Sequence, residues 1–100
     1  EHASALESAG WHALVLVCVP SDLAKKITES VEVPTIGIGA GIHVDGQVLV
    51  LQDLLGLTTD FKPKFVRQFA QGQDWMSKAL TEYRKAVHDQ TFPSNEESFQ

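Results

Sequence analysis

Apolar residues gather along this chain in short blocks whose spacing separates strands from helices. Ala13 to Val19 is a continuous apolar run rich in β-branched residues, bounded by Gly10 and Pro20. Such a run predicts a strand buried on both faces. Ser21 and Asp22 then offer an N-cap to a helix over Leu23 to Ser30, with Leu23 and Ile27 on one face. After Pro34 a second strand, Thr35 to Ile38, leads into the Gly39-Ala40-Gly41 turn, and a third strand is predicted at Gln47 to Leu51. Asp53 can cap a short helical turn running to Gly56, and Leu57 to Pro63 reads as a loop. Phe65, Val66 and Phe69 predict a short amphipathic helix over Lys64 to Ala70. Met76, Leu80, Tyr83 and Val87 fall on one stripe of a longer helix from about Asp74 to Asp89. That stripe is expected to be packed.

The order strand, helix, strand, short connection, strand, helices is an α/β pattern with a parallel sheet. Three strands are few for such a sheet, because parallel sheets need cover on both faces and paired or blunted edges. A small flavodoxin-like domain would need about two more strands. The other solution is the last three strands of a larger closed barrel. There is no internal repeat.

Composition narrows the functional classes. Thirteen acidic and eight basic side chains give a net charge of −5, with the two signs interspersed. Nucleic acid is therefore not an expected partner, since phosphate recognition calls for a basic face. No apolar run approaches the ~20 residues of a membrane span. One cysteine, Cys18, leaves no internal disulfide and points to a reducing compartment, the cytoplasm. The chain opens on Glu1, and its sole methionine is Met76. Glu1 to Gly10 reads as the end of a helix, so a fragment of a longer chain is expected.

Isolated chemical motifs are weak. Gly37, Gly39 and Gly41 form G-x-G-x-G, with Ile42 where a dinucleotide fingerprint would carry its third glycine. Close backbone packing explains these glycines better. Asp45-Gly46 is a turn signal before it is a ligand. His2, His12, His43 and His88 have no spacing that would set two on one face beside a carboxylate, so zinc is not expected. Cys18 has no base near it in sequence and reads as a buried, inert thiol. Lys62, Lys64 and Arg67 read as a solvated helix face.

The blocks taken together say more. Val33-Pro34-Thr35-Ile36-Gly37-Ile38-Gly39-Ala40-Gly41 followed by Asp45-Gly46-Gln47-Val48-Leu49-Val50 resembles the signature of the ketopantoate hydroxymethyltransferase family. Leu14 to Pro20 and Leu23 to Thr28 look like the family's sixth strand and the helix after it. Asp53 to Leu57, Pro63 to Arg67 and the tail Phe92-Pro93, Glu96, Ser98-Phe99 match in order and spacing. The resemblance runs over essentially the whole chain.

It implies a (β/α)₈ barrel, the TIM-barrel fold, of which residues 1–100 would be the C-terminal part: strands six to eight with their helices over 1–90, then an irregular tail over 91–100. It implies a transferase of pantothenate biosynthesis that moves a hydroxymethyl group from methylenetetrahydrofolate to 3-methyl-2-oxobutanoate, giving ketopantoate. In that chemistry a divalent metal, usually Mg²⁺, chelates the keto acid and stabilises the enolate, and a carboxylate removes the proton. The resemblance puts the metal ligands and the substrate lysine in the first half of the barrel, outside this chain. It puts the general base, a glutamate, immediately before Cys18-Val19-Pro20, where this chain has Val17. Gln52 and Glu97 stand where the family often has His. The family also forms homo-oligomers. This chain alone is expected to be inactive; a truncated or degenerate relative acting as a folding or assembly module is the alternative.

Overall fold

The computed structural model describes residues 1–100 and has the expected α/β order. Its elements are α1 (His2–Ser8), β1 (Leu14–Val17), α2 (Ser21–Ser30), β2 (Thr35–Ile38), β3 (Gly46–Gln47), α3 (Leu51–Leu54) and α4 (Gly72–His88). The strands form one parallel sheet in the order β1-β2-β3. Leu14 pairs with Thr35 and Val17 with Ile38, so Leu14, Leu16, Thr35 and Gly37 lie on one face of the sheet. Val15, Val17, Ile36 and Ile38 lie on the other.

The two faces fare differently. On the first, Leu16 packs with Ala24 of α2 and with Ala40, flanked by Val19, Ile27 and Val44. The second face has no layer over it: Val15 is 62% exposed and Val17 61%. The strand expected to be buried on both faces is therefore buried on one, and its burial alternates. An unbroken apolar run is the signature of a doubly covered strand, but only one of the two covering layers is built from these residues.

The same shortage of cover appears across the chain. Only ten of 100 residues are buried. The radius of gyration is 22.2 Å, against about 13 Å for a compact domain of this length. The stripe on α4 is not packed either: Leu80 is 65% exposed, and Met76, Tyr83 and Val87 are exposed with it. The ring of Tyr83 meets Phe92 edge-on at 5.7 Å, which ties the tail back to the helix.

Local chemistry accounts for the other departures. Ser21 lies inside α2, whose N-cap is Pro20 with no side-chain bond, so the Ser21-Asp22 cap does not form. β3 is two residues long rather than five, and Leu51 already belongs to α3. A parallel strand needs a partner, and β3 has one only on its β2 side. Lys64 to Ala70 is not a helix; Val66 closes a single turn by donating to the Pro63 carbonyl at 3.0 Å. Seven residues nucleate a helix poorly unless tertiary contacts favour it. Here Val66 is buried while Phe69 N–H is drawn to the Leu54 carbonyl at 2.7 Å, which fixes the segment as an extended connection.

Candidate functional site

Parallel strands point their carboxyl ends the same way, and the loops leaving those ends gather into one place. Here they enclose a cleft of about 900 Å³, within the range of small-molecule sites. Its walls come from the Cys18 to Ser21 turn after β1, the Gly39 to Ile42 turn after β2, Val48 and Leu49 after β3, and the 64–69 segment. At the first turn Cys18 N–H continues the ladder by donating to the Ile38 carbonyl at 2.9 Å, with Cys18 itself at φ 52°. That left-handed conformation in a non-glycine residue marks a sharp reversal between strand and helix.

The glycine turn is built for close approach. Gly39 has φ 68°, and a Cβ there would stand 2.8 Å from the Phe65 ring. Gly41 has φ 81° and faces Ser21 at a distance that leaves no room for a side chain. Gln47 Nε2 donates to the Gly41 carbonyl at 2.7 Å and holds the turn against β3. The glycines serve packing at the mouth of the cleft, as the missing third fingerprint glycine suggests.

Asp45 is a structural clamp. Its Oδ2 accepts from Thr35 N–H at 2.8 Å and from Thr35 Oγ1 at 3.2 Å, while Asp45 N–H donates to the Thr35 carbonyl at 3.0 Å. Thr35 is fully buried, and its hydroxyl also shares a 2.9 Å bond with Thr28. This network sets the start of β2 against the turn before β3.

Val17 ends β1 with its side chain on the uncovered face, one residue before the cleft begins at Cys18. It brings no proton-accepting group. Cys18 is exposed rather than buried. The four histidines do not converge; His88 Nδ1 lies 3.3 Å from Oδ1 of its neighbour Asp89, the one contact in the chain between a basic nitrogen and a carboxylate. No three His, Cys, Asp or Glu side chains come together in a group that could hold a metal ion. Lys64 and Arg67 depart from their expected role: with no helix beneath them, both line the cleft. The i, i+4 spacing of Phe65 and Phe69 concealed this by imitating an amphipathic helix.

A family model described as ketopantoate hydroxymethyltransferase matches residues 1–95. The chain belongs to the ketopantoate hydroxymethyltransferase family. It is similar to proteins named 3-methyl-2-oxobutanoate hydroxymethyltransferase from Francisella tularensis (strain SCHU S4), at 48% identity over 99 residues, and from Bdellovibrio bacteriovorus and Legionella pneumophila (strain Lens), at 52%. Each match takes in 99% of this chain and 38% of the relative, so the chain spans well under half the length of these ketopantoate hydroxymethyltransferases. No helix is long and apolar enough to cross a membrane.

Proposed function

We propose that this chain works as the C-terminal part, strands six to eight and the helices around them, of a (β/α)₈ barrel. The completed barrel would transfer a hydroxymethyl group from methylenetetrahydrofolate to 3-methyl-2-oxobutanoate. The observation that carries the reading is the sheet face on which Val15 and Val17 are exposed and Ile36 and Ile38 only half-buried, together with two sheet edges that have no partner. A barrel answers both needs at once, because closure pairs the edges and turns the bare face into the packed interior. Barrel enzymes work at the carboxyl ends of their strands, which is where the cleft lies. The family name supplies the reaction, and the keto acid and folate are its substrates.

The isolated chain is inactive in this reading. The metal ligands and the substrate-binding lysine of the family belong to the remainder of the barrel, and residue 17 takes the position of the general base. A glutamate there would accept the proton from the carbon beside the ketone. Valine cannot, so the chain contributes the mouth of the site without its base. Homo-oligomers and a cytoplasmic setting accompany the reading, and residues 91–100 form a tail outside the barrel proper.

The test combines the chain with the remainder of the Francisella tularensis relative, the part its match leaves out, and measures ketopantoate formation. With Val17 the assembled barrel turns over slowly. Val17→Glu raises the rate about 10²-fold or more, the scale of general-base catalysis. Equal rates for Val17 and Val17→Glu would show that another group takes the proton. Failure of the two parts to associate would overturn the barrel reading.

A further inference from the structure

The cleft is charged against the grain of the molecule. The chain carries thirteen acidic side chains and a net charge of −5, yet none of the sixteen residues lining the cleft is acidic. The only charged groups on its wall are the cations Lys64 and Arg67. Neither has a carboxylate within ion-pair distance, since His88–Asp89 is the one such pair in the chain. Beside them the wall is apolar and aromatic. Phe65 lies against Gly39, and the Arg67 guanidinium stands 5.7 Å from the centre of the Phe69 ring. Two unpaired cations over an apolar floor focus a positive potential into a low-dielectric groove. The chemistry this favours is a ligand with a flat apolar body and a carboxylate end.

We infer that Lys64 and Arg67 form a carboxylate subsite that takes the glutamyl tail of the folate co-substrate, whose aminobenzoyl ring lies along Phe65 and Phe69. This rests on the reaction proposed above and goes beyond it by assigning the tail to residues of this chain. The other carboxylate source in that reaction is the keto acid. A small branched keto acid would fill little of a 900 Å³ cleft, and it has no aromatic body to lay on the two phenylalanines. Arg67, held over the Phe69 ring, presents a planar fork suited to bidentate carboxylate binding, and Lys64 adds a point charge.

The test uses direct binding, so it does not depend on turnover. The 100-residue chain is titrated calorimetrically with 4-aminobenzoyl-L-glutamate, with 4-aminobenzamide, which lacks the tail, and with 3-methyl-2-oxobutanoate. The glutamate-bearing probe binds best, and its affinity falls as ionic strength rises from about 0.01 to 0.15 M. The double variant Lys64→Gln with Arg67→Gln weakens it about tenfold or more, the scale of losing charge-assisted bonds, and leaves 4-aminobenzamide unchanged. Both cations are exposed, so the fold tolerates the change. Equal affinity of wild type and double variant for 4-aminobenzoyl-L-glutamate overturns the subsite, as does absence of binding. A loss confined to the keto acid reassigns the cations to that substrate and overturns the tail assignment. A complemented barrel that turns over despite any of these failures leaves the proposed function standing and removes only the subsite.

Discussion

Replacing Asp45 with Ala removes the clamp at the start of β2, and its cost can be worked from the bonds it breaks. Asp45 Oδ2 is the acceptor for Thr35 N–H at 2.8 Å and for the Thr35 hydroxyl at 3.2 Å. The hydroxyl keeps a partner in Thr28, so its loss is minor. The amide has no such reserve. Thr35 is fully buried, and an orphaned buried donor costs about 1–3 kcal/mol. Asp45 is itself exposed, and water can reach part of the vacated space, which places the expected loss near 2 kcal/mol rather than at the top of that range. With a urea dependence of about 2 kcal/mol per molar, the unfolding midpoint followed by circular dichroism drops by about 1 M. Asp45→Asn keeps a carbonyl oxygen in place but loses the charge assistance, so it recovers about half of the loss. A midpoint unchanged by Asp45→Ala, or an Asn variant as unstable as the Ala variant, would refute the clamp.

Three further outcomes follow from the geometry. Leu16→Ala opens the small cluster with Ala24 and Ala40 and costs about 2 kcal/mol, the low end of Leu→Ala changes. Val17→Ala, one position away on the bare face, changes the isolated chain by less than about 0.5 kcal/mol. Urea unfolding of the two variants reads the alternation directly, and equal losses would show that both faces are covered. Gly39→Ala puts an L-residue at φ 68° and presses on Phe65, for a loss of about 1–2 kcal/mol and a narrower cleft, measured by unfolding and by titration with 4-aminobenzoyl-L-glutamate. Val17→Glu in the isolated chain produces no ketopantoate, since a base without the rest of the barrel has no substrate to act on; turnover would contradict this.

The element order was legible because each block carries its own period. The run around Leu14 to Val17 and the Thr35 to Ile38 block form strands, and the Met76 to Val87 stripe lies on a helix, as their spacing implies, although the stripe is exposed and the first strand is buried on one face only. The family was legible because blocks spread over the whole chain agree with one another, and the match over residues 1–95 bears this out. What the sequence did not reveal depends on neighbours. Val15 and Val17 have the composition of doubly buried strand residues, and no pattern within the chain says that one layer is missing. The 64–70 segment has helical spacing, but bonds to Leu54 and the burial of Val66 decide its path. The cationic wall of the cleft is hidden for the same reason: the spacing puts Lys64 and Arg67 on a helix face, and that helix does not form. Asp45 shows the opposite case, where turn chemistry read from Asp45-Gly46 led to the right kind of role.

The barrel account turns on what covers Val15, Val17, Ile36 and Ile38. Their methyl groups can be followed by NMR with a soluble paramagnetic agent, first in the chain alone and then with the remainder of the Francisella tularensis relative added. The account predicts strong broadening of the Val15 and Val17 methyls in the chain alone and protection of all four once the remainder binds. Methyls that stay equally accessible in the mixture, or that are already protected in a monomeric chain, would contradict it.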